Sequence, residues 1–197
     1  LMSLALRENG YTVLANDVMT YSYHHLNLHL LLSKAPPFNN ISLIINNGKE
    51  KEINDVSNYE LILSHLNNLK SINGYFYNEF SPNGNPSNSS KPRKYFTTAN
   101  AQKIDAIRKE IKKLKRKKLI TESEHSLLLH DLIMASNDIA NIAGTYGHYL
   151  SKFVKRAESP ISLYSSKFSN LGKTEGHQIF RSYAEDIATS IEGDLCY

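Results

Sequence analysis

The sequence predicts an α/β fold interrupted by a mostly helical insertion, and two observations carry that prediction. Residues 1–17 run in the order helix, glycine, strand, acid, which is the second half of a βαβ unit in a doubly wound sheet. After a long helical stretch, strand and helix patterns alternate again toward the end of the chain. The expected division is therefore 1–36 for the first part of the α/β domain, 37–144 for the insertion and 145–197 for the second part.

Leu1 to Asn9 places Leu1, Leu4 and Ala5 on one helical stripe, and Gly10 stands where a left-handed C-cap belongs. Tyr11 to Ala15 reads as a buried strand ending in Asn16-Asp17. Ligands in doubly wound sheets sit beyond the carboxyl ends of the strands, where an acid can accept both hydroxyls of a ribose. Taken alone, Asp17 fits a turn former or helix cap as well. Thr20 to Ser33 returns to helical periodicity, and Pro36-Pro37 stops it.

Ile41 to Ile45 predicts a strand and Asn58 to Leu69 a helix. Ser81 to Pro92 is a loop by composition and is expected to be mobile. Thr98 or Asn100 can cap a helix whose narrow seam is Ile104, Ile107, Ile111 and Leu114, while Arg108, Lys109 and the cations from Lys112 to Lys118 cover the rest. Thr121 with Glu124 makes a capping box for a second long helix reaching Ile142, with Gly144 as its C-cap. Gly147 to Arg156 then predicts a helix, Pro160 to Tyr164 and Gly176 to Ser182 extended chain, Glu185 to Glu192 a short helix and Asp194 to Tyr197 a final strand.

The chain has 197 residues and a hydrophobic share of 41%, enough for a buried core. Its single cysteine, Cys196, excludes a disulfide scaffold and suits a reducing, cytoplasmic compartment. No secretory signal is legible, and the apolar run Leu26 to Leu32 is too short and too interrupted to span a bilayer. The net charge of +4 is modest but concentrated in one helix, which favours a polyanionic partner. His24, His25 and His29 have no convergent ligand partners in sequence, and His29 reads as a helix-face residue, so no metal is expected.

Tyr77, the run Arg93-Lys94-Tyr95-Phe96-Thr97, Asn100-Ala101, Ile104 through Arg108 and Gly144-Thr145-Tyr146-Gly147 with Tyr149-Leu150 together resemble the adenine-specific DNA methyltransferases of the Dam-like class. The resemblance implies a Rossmann-like sheet that binds S-adenosylmethionine, interrupted by an inserted target-recognition domain. It implies methyl transfer to N6 of adenine in double-stranded DNA, with the base rotated out of the stack, as part of a restriction-modification system with a cognate endonuclease. On this likeness the Gly-rich cofactor loop is expected before Leu1 and the catalytic Asp-Pro-Pro-Tyr just beyond Tyr197, so the chain reads as a fragment, inactive alone, with no catalytic residue of its own. Asp17 matches the acid that binds the cofactor ribose. Ser182 and Tyr183 match the pair bordering the cofactor's adenine, where many relatives carry Asp-Phe; Ser182 keeps a hydroxyl in place of the carboxylate.

Lys112, Lys113, Lys115, Arg116 and Lys117 are candidates for phosphate contacts, and Arg93, Lys94 and Asn100 for base readout. A charge run on a helix is also, more plainly, a solvated face. A non-enzymatic nucleic-acid-binding or specificity module would account for the basic helix but leaves the α/β ends unexplained.

Overall fold

A computed structural model of the chain describes residues 2–45, 57–88, 91–168, 175–194 and 196. The chain forms two compact units: one of Leu1–Pro37, Glu122–His130 and Ser166–Tyr197, the other of Phe38–Thr121 and Asp131–Ser165.

In the first unit, helix α1 (Met2–Glu8) ends at Gly10, whose φ of +83° is the left-handed turn expected there. Strand β1 (Leu14–Asn16) pairs in parallel with β2 (Gln178–Phe180), with Ala15 opposite Ile179. The strand is shorter than Tyr11 to Ala15 because Tyr11 faces solvent at 62% exposure, so only its second half has an apolar neighbour to pack on. Val13, Ala15 and Leu30 form the core, covered by Leu6, Leu26, Leu31 and Ile179. Helix α2 (Thr20–Leu26) passes into a π-turn over Asn27–Leu31, which buries Leu28 and Leu30 together. The buried Arg7 guanidinium accounts for how that widened turn ends: its Nη1 donates to the carbonyls of His29 (2.6 Å) and Leu32 (3.2 Å).

The histidines that look unrelated in sequence come together in this unit. His24 Nδ1 lies 2.8 Å from Ser126 Oγ, and His25 Nδ1 lies 2.7 Å from His130 Nδ1, an arrangement in which one ring donates and the other, neutral, accepts. Burial, reinforced by neighbouring imidazoles, pushes His24 down to about 4 and His130 down to about 3. Among the described residues, no group of three or more His, Cys, Asp or Glu is placed to hold a metal ion. Helix α9 (Ala184–Ile187) is shorter than the expected Glu185 to Glu192. Asp194 and Cys196 belong to no strand, and Leu195 and Tyr197 of the expected final strand lie outside the described residues.

The second unit is helical. Ile41–Ile45 forms a short helix, α3, not a strand: five residues, four of them apolar, are too few to show a period that decides the type, and here the segment packs against α4 (Asn58–Asn67). Ser57 and Glu60 make a reciprocal capping box at the start of α4. Helix α5 (Tyr75–Phe80) has Gly74 as its N-cap, and the missing cap is supplied by buried Asp105, whose two oxygens accept from Phe76 N (2.9 Å) and Tyr77 N (2.8 Å). A Cβ at Gly74 would lie 2.6 Å from Asp105 Cγ, so the close approach itself requires glycine. The described part of the Ser81 to Pro92 loop is pinned, against expectation, by Ser81 Oγ donating to Tyr77 O and by Glu79 accepting from Ser87 N.

Helix α6 (Thr98–Arg116) is capped by Thr97, one residue before the predicted Thr98, and buries Ile104, Ile107, Ile111 and Leu114 as its seam. Helix α7 (Glu122–Asp138) spans both units in sequence and stops before Ile142 and Gly144. Its end is set by Arg156, which donates to the carbonyls of Asn137, Asp138 and Ile142. Residues 147–156, expected to be helical, instead lead to a single turn, α8 (Lys155–Glu158).

Three asparagines explain that difference. Fully buried Asn141 donates through Nδ2 to the carbonyls of Lys94 and Leu150, both at 2.9 Å, and accepts from Val154 N at 3.2 Å. Asn100 donates to Ala157 O and Ser159 O and accepts from Ile161 N. Asn67 both donates to and accepts from the backbone of Leu163, as a strand neighbour would. These amides hold residues 141–163 as irregular chain on either side of α8, with Pro160–Tyr164 in no strand ladder, and carry the segment into the second unit. The compact units part at 37/38 and 165/166, with Glu122–His130 joining the first.

Candidate cofactor crevice and nucleic-acid surface

The carboxyl ends of β1 and β2 lie side by side, so Asp17, Ser182 and Tyr183 follow directly from paired strands. The ladder runs one step beyond the strands, with Asp17 N donating to Phe180 O at 3.3 Å. Asp17 Oδ1 accepts from Met19 N at 2.8 Å, closing a turn into α2, and hydrogen bonds from Met19 and the Ser22 side chain hold this carboxyl below the usual range. The acid is therefore ionised and oriented, with lone pairs remaining.

Asn16, which the sequence reading gives no role, ties the two strand ends together. Its Nδ2 donates to Ser182 O (3.1 Å) and its Oδ1 accepts from Ser182 N (3.2 Å) and Ser182 Oγ (3.4 Å). No local pattern marks it, because alternation sends strand side chains to the faces of the sheet and Asn16 meets Ser182 only through the pairing of β1 with β2. Tyr183 is 66% exposed, so it does not pack under α9, and its ring presents a face to solvent.

The residues assigned to DNA contact fall into two groups. Three of them are engaged within the protein: Arg93 Nη1 pairs with Glu79 Oε2 at 3.2 Å, Lys94 Nζ donates to Ser151 O at 3.0 Å, and Asn100 is buried with its amide bound to backbone. Asn100 is thus a structural clamp. Lys112, Lys113, Arg116 and Lys117 are exposed, and Lys115 is half-buried. Lys113 bonds Glu110 at 2.8 Å. Arg108, from the same basic run, lies over the rings of Tyr75 and Phe76 at 5.9 and 5.7 Å. Among the described residues, no helix is long and apolar enough to cross a membrane.

Over residues 1–197 the chain matches the family described as D12 class N6 adenine-specific DNA methyltransferase. It is 32% identical to type II methyltransferase M.FokI of Planomicrobium okeanokoites over 96% of this chain and 27% of that protein. Modification methylase StsI of Streptococcus sanguinis is 29% identical over 95% of this chain and 26% of its own length. Type II methyltransferase M.NlaIII of Neisseria lactamica is 29% identical over 97% of this chain and 49% of its own length. The chain therefore spans about a quarter to a half of these relatives. No solved structure matches it.

Proposed function

Because the chain belongs to the D12 class N6 adenine-specific DNA methyltransferases, we propose that its protein transfers a methyl group from S-adenosylmethionine to N6 of adenine in double-stranded DNA. The observation that carries this reading is the family match over the whole chain, together with an ionised carboxylate at a strand end beside a clamped serine and an exposed aromatic face. These residues fit the cofactor: Asp17 accepts from the ribose hydroxyls, Ser182 Oγ accepts from the adenine amino group, and Tyr183 lies against the ring. S-adenosylmethionine supplies the electrophilic methyl; Asn16, Asp17, Ser182 and Tyr183 bind and orient it. The second unit serves as the inserted target-recognition domain, and the cations of α6 neutralise phosphates. The modification protects the DNA from a restriction endonuclease of the same site preference.

Asp-Pro-Pro-Tyr does not occur in residues 1–197, so this stretch taken alone transfers no methyl group. The full-length protein incubated with mixed-sequence duplex and labelled S-adenosylmethionine yields N6-methyladenine. Label confined to cytosine, or none from the intact protein, refutes the reading.

A further inference from the structure

Helix α6 carries its cations in two sets that the sequence does not separate. Lys109, Lys112, Lys113 and Arg116 recur at the i, i+3, i+4, i+7 spacing that places them on one stripe about 100° wide, opposite the buried seam of Ile104, Ile107, Ile111 and Leu114. Lys115 projects about 120° around the axis from Lys109, and Lys117 and Lys118 stand at and beyond the C-cap. The stripe forms one wall of an open groove of about 570 Å³, whose other wall includes Leu69, Lys70 and Ile72. That second wall is tied to the helix: Lys103 Nζ donates to Leu69 O, Ile72 N donates to Gln102 O at 3.2 Å, and Gln102 Nε2 donates to Asn73 Oδ1 at 2.7 Å.

Among the described residues, the groove thus gathers Lys70, Lys109, Lys112, Lys113 and Arg116 against one acid, Glu110, which Lys113 already pairs. From Lys109 to Arg116 the helix rises about 10 Å, the axial length over which one strand of duplex DNA places about three phosphates. We propose that this groove is where the protein seats the DNA backbone, with Lys109, Lys112 and Arg116 on successive phosphates and Lys70 adding a contact from the facing wall, and that Lys115, Lys117 and Lys118 lie outside the contact. The proposal rests on the methyltransferase reading for its choice of polyanion, and on the charge and length of the groove for the site.

Two triple variants of equal charge change separate groove contact from net charge: Lys109/Lys112/Arg116→Gln and Lys115/Lys117/Lys118→Gln. Affinity of the full-length protein for one duplex, measured against salt, has a log–log slope shallower by about 2 to 3 in the first variant, at about 0.9 per lost phosphate contact, and nearly unchanged in the second. Lys70→Gln, on a separate segment, lowers the slope by about 1. Equal slopes for the two triple variants, a larger change in the second, or no change for Lys70→Gln overturns the groove assignment. Adenine methylation by the unmodified protein, scored in the same preparation, tests the enzyme reading separately, so either can fail while the other stands.

Discussion

The strand ends of β1 and β2 and the groove along α6 are built in opposite ways. At the strand ends, Asn16, Asp17 and Ser182 are short side chains, Asn16 and Asp17 bonded to backbone and Ser182 Oγ to Asn16 Oδ1, so their donor and acceptor directions are set before a ligand arrives. Little rotamer entropy remains for binding to remove. In the groove, exposed lysines carry charge on four-carbon stems, and Lys113 of the stripe is paired to an acid at short range. Coulomb attraction falls slowly with distance and demands no particular angle. A site that orients a small molecule needs stiff short groups; a surface that holds a polyanion needs only enough cations on a rigid support.

That support is where the comparison breaks most sharply. Asn141→Ala removes the amide partners of Lys94 O, Leu150 O and Val154 N, and leaving such groups unsatisfied costs about 1–3 kcal/mol each, so a loss of roughly 3 kcal/mol or more is expected in denaturant unfolding. A loss below about 1 kcal/mol would mean that main-chain packing alone organises residues 141–156. The cofactor side is next. Asp17→Asn keeps an oxygen for Met19 N but removes the charge, and charge-assisted hydrogen bonds contribute about 1.5–3 kcal/mol, so the dissociation constant for S-adenosylhomocysteine rises about 10- to 100-fold while DNA affinity holds. Unchanged cofactor affinity by calorimetric titration returns Asp17 to a turn-forming role.

Acid sharpens the contrast further, because the first unit holds the neutral histidines. His24 and His130 have folded values of about 4 and about 3 against the ordinary 6.5, so the unfolded chain binds more protons as pH falls. Stability contributed by these rings is whole above about pH 6.5 and is lost progressively toward pH 4 for His24 and pH 3 for His130, at up to about 1.4 kcal/mol per pH unit for each ring. The urea midpoint therefore drops between neutral and mildly acid buffer; a constant midpoint would put both imidazoles in water. The smallest effect belongs to the surface: Lys112→Gln shifts stability by less than about 0.5 kcal/mol while lowering the salt slope of DNA binding by about 0.9. A stability loss beyond that range would make Lys112 part of the helix packing.

Much of the molecule was written in local sequence. Ile104, Ile107, Ile111 and Leu114 share a face at helical spacing, Gly10 can adopt positive φ without a Cβ clash, and Ser57 with Glu60 closes the first turn of α4; each depends on neighbours within a few residues. The parallel partner of β1, by contrast, lies more than 160 residues away, although its own apolar pattern marked it as extended. What tertiary structure alone decided involves groups whose partners are remote. Asn100 looked like a surface reader until three backbone groups of residues 157–161 claimed its amide, and residues 147–156 lost their helix to Asn141. Lys70 joined Lys109, Lys112 and Arg116 only because the segment around it is tied to α6. Periodicity and capping act through the energies of adjacent turns, so the chain states them outright; a buried amide takes whichever unpaired backbone group the fold brings to it, and no local pattern encodes that choice.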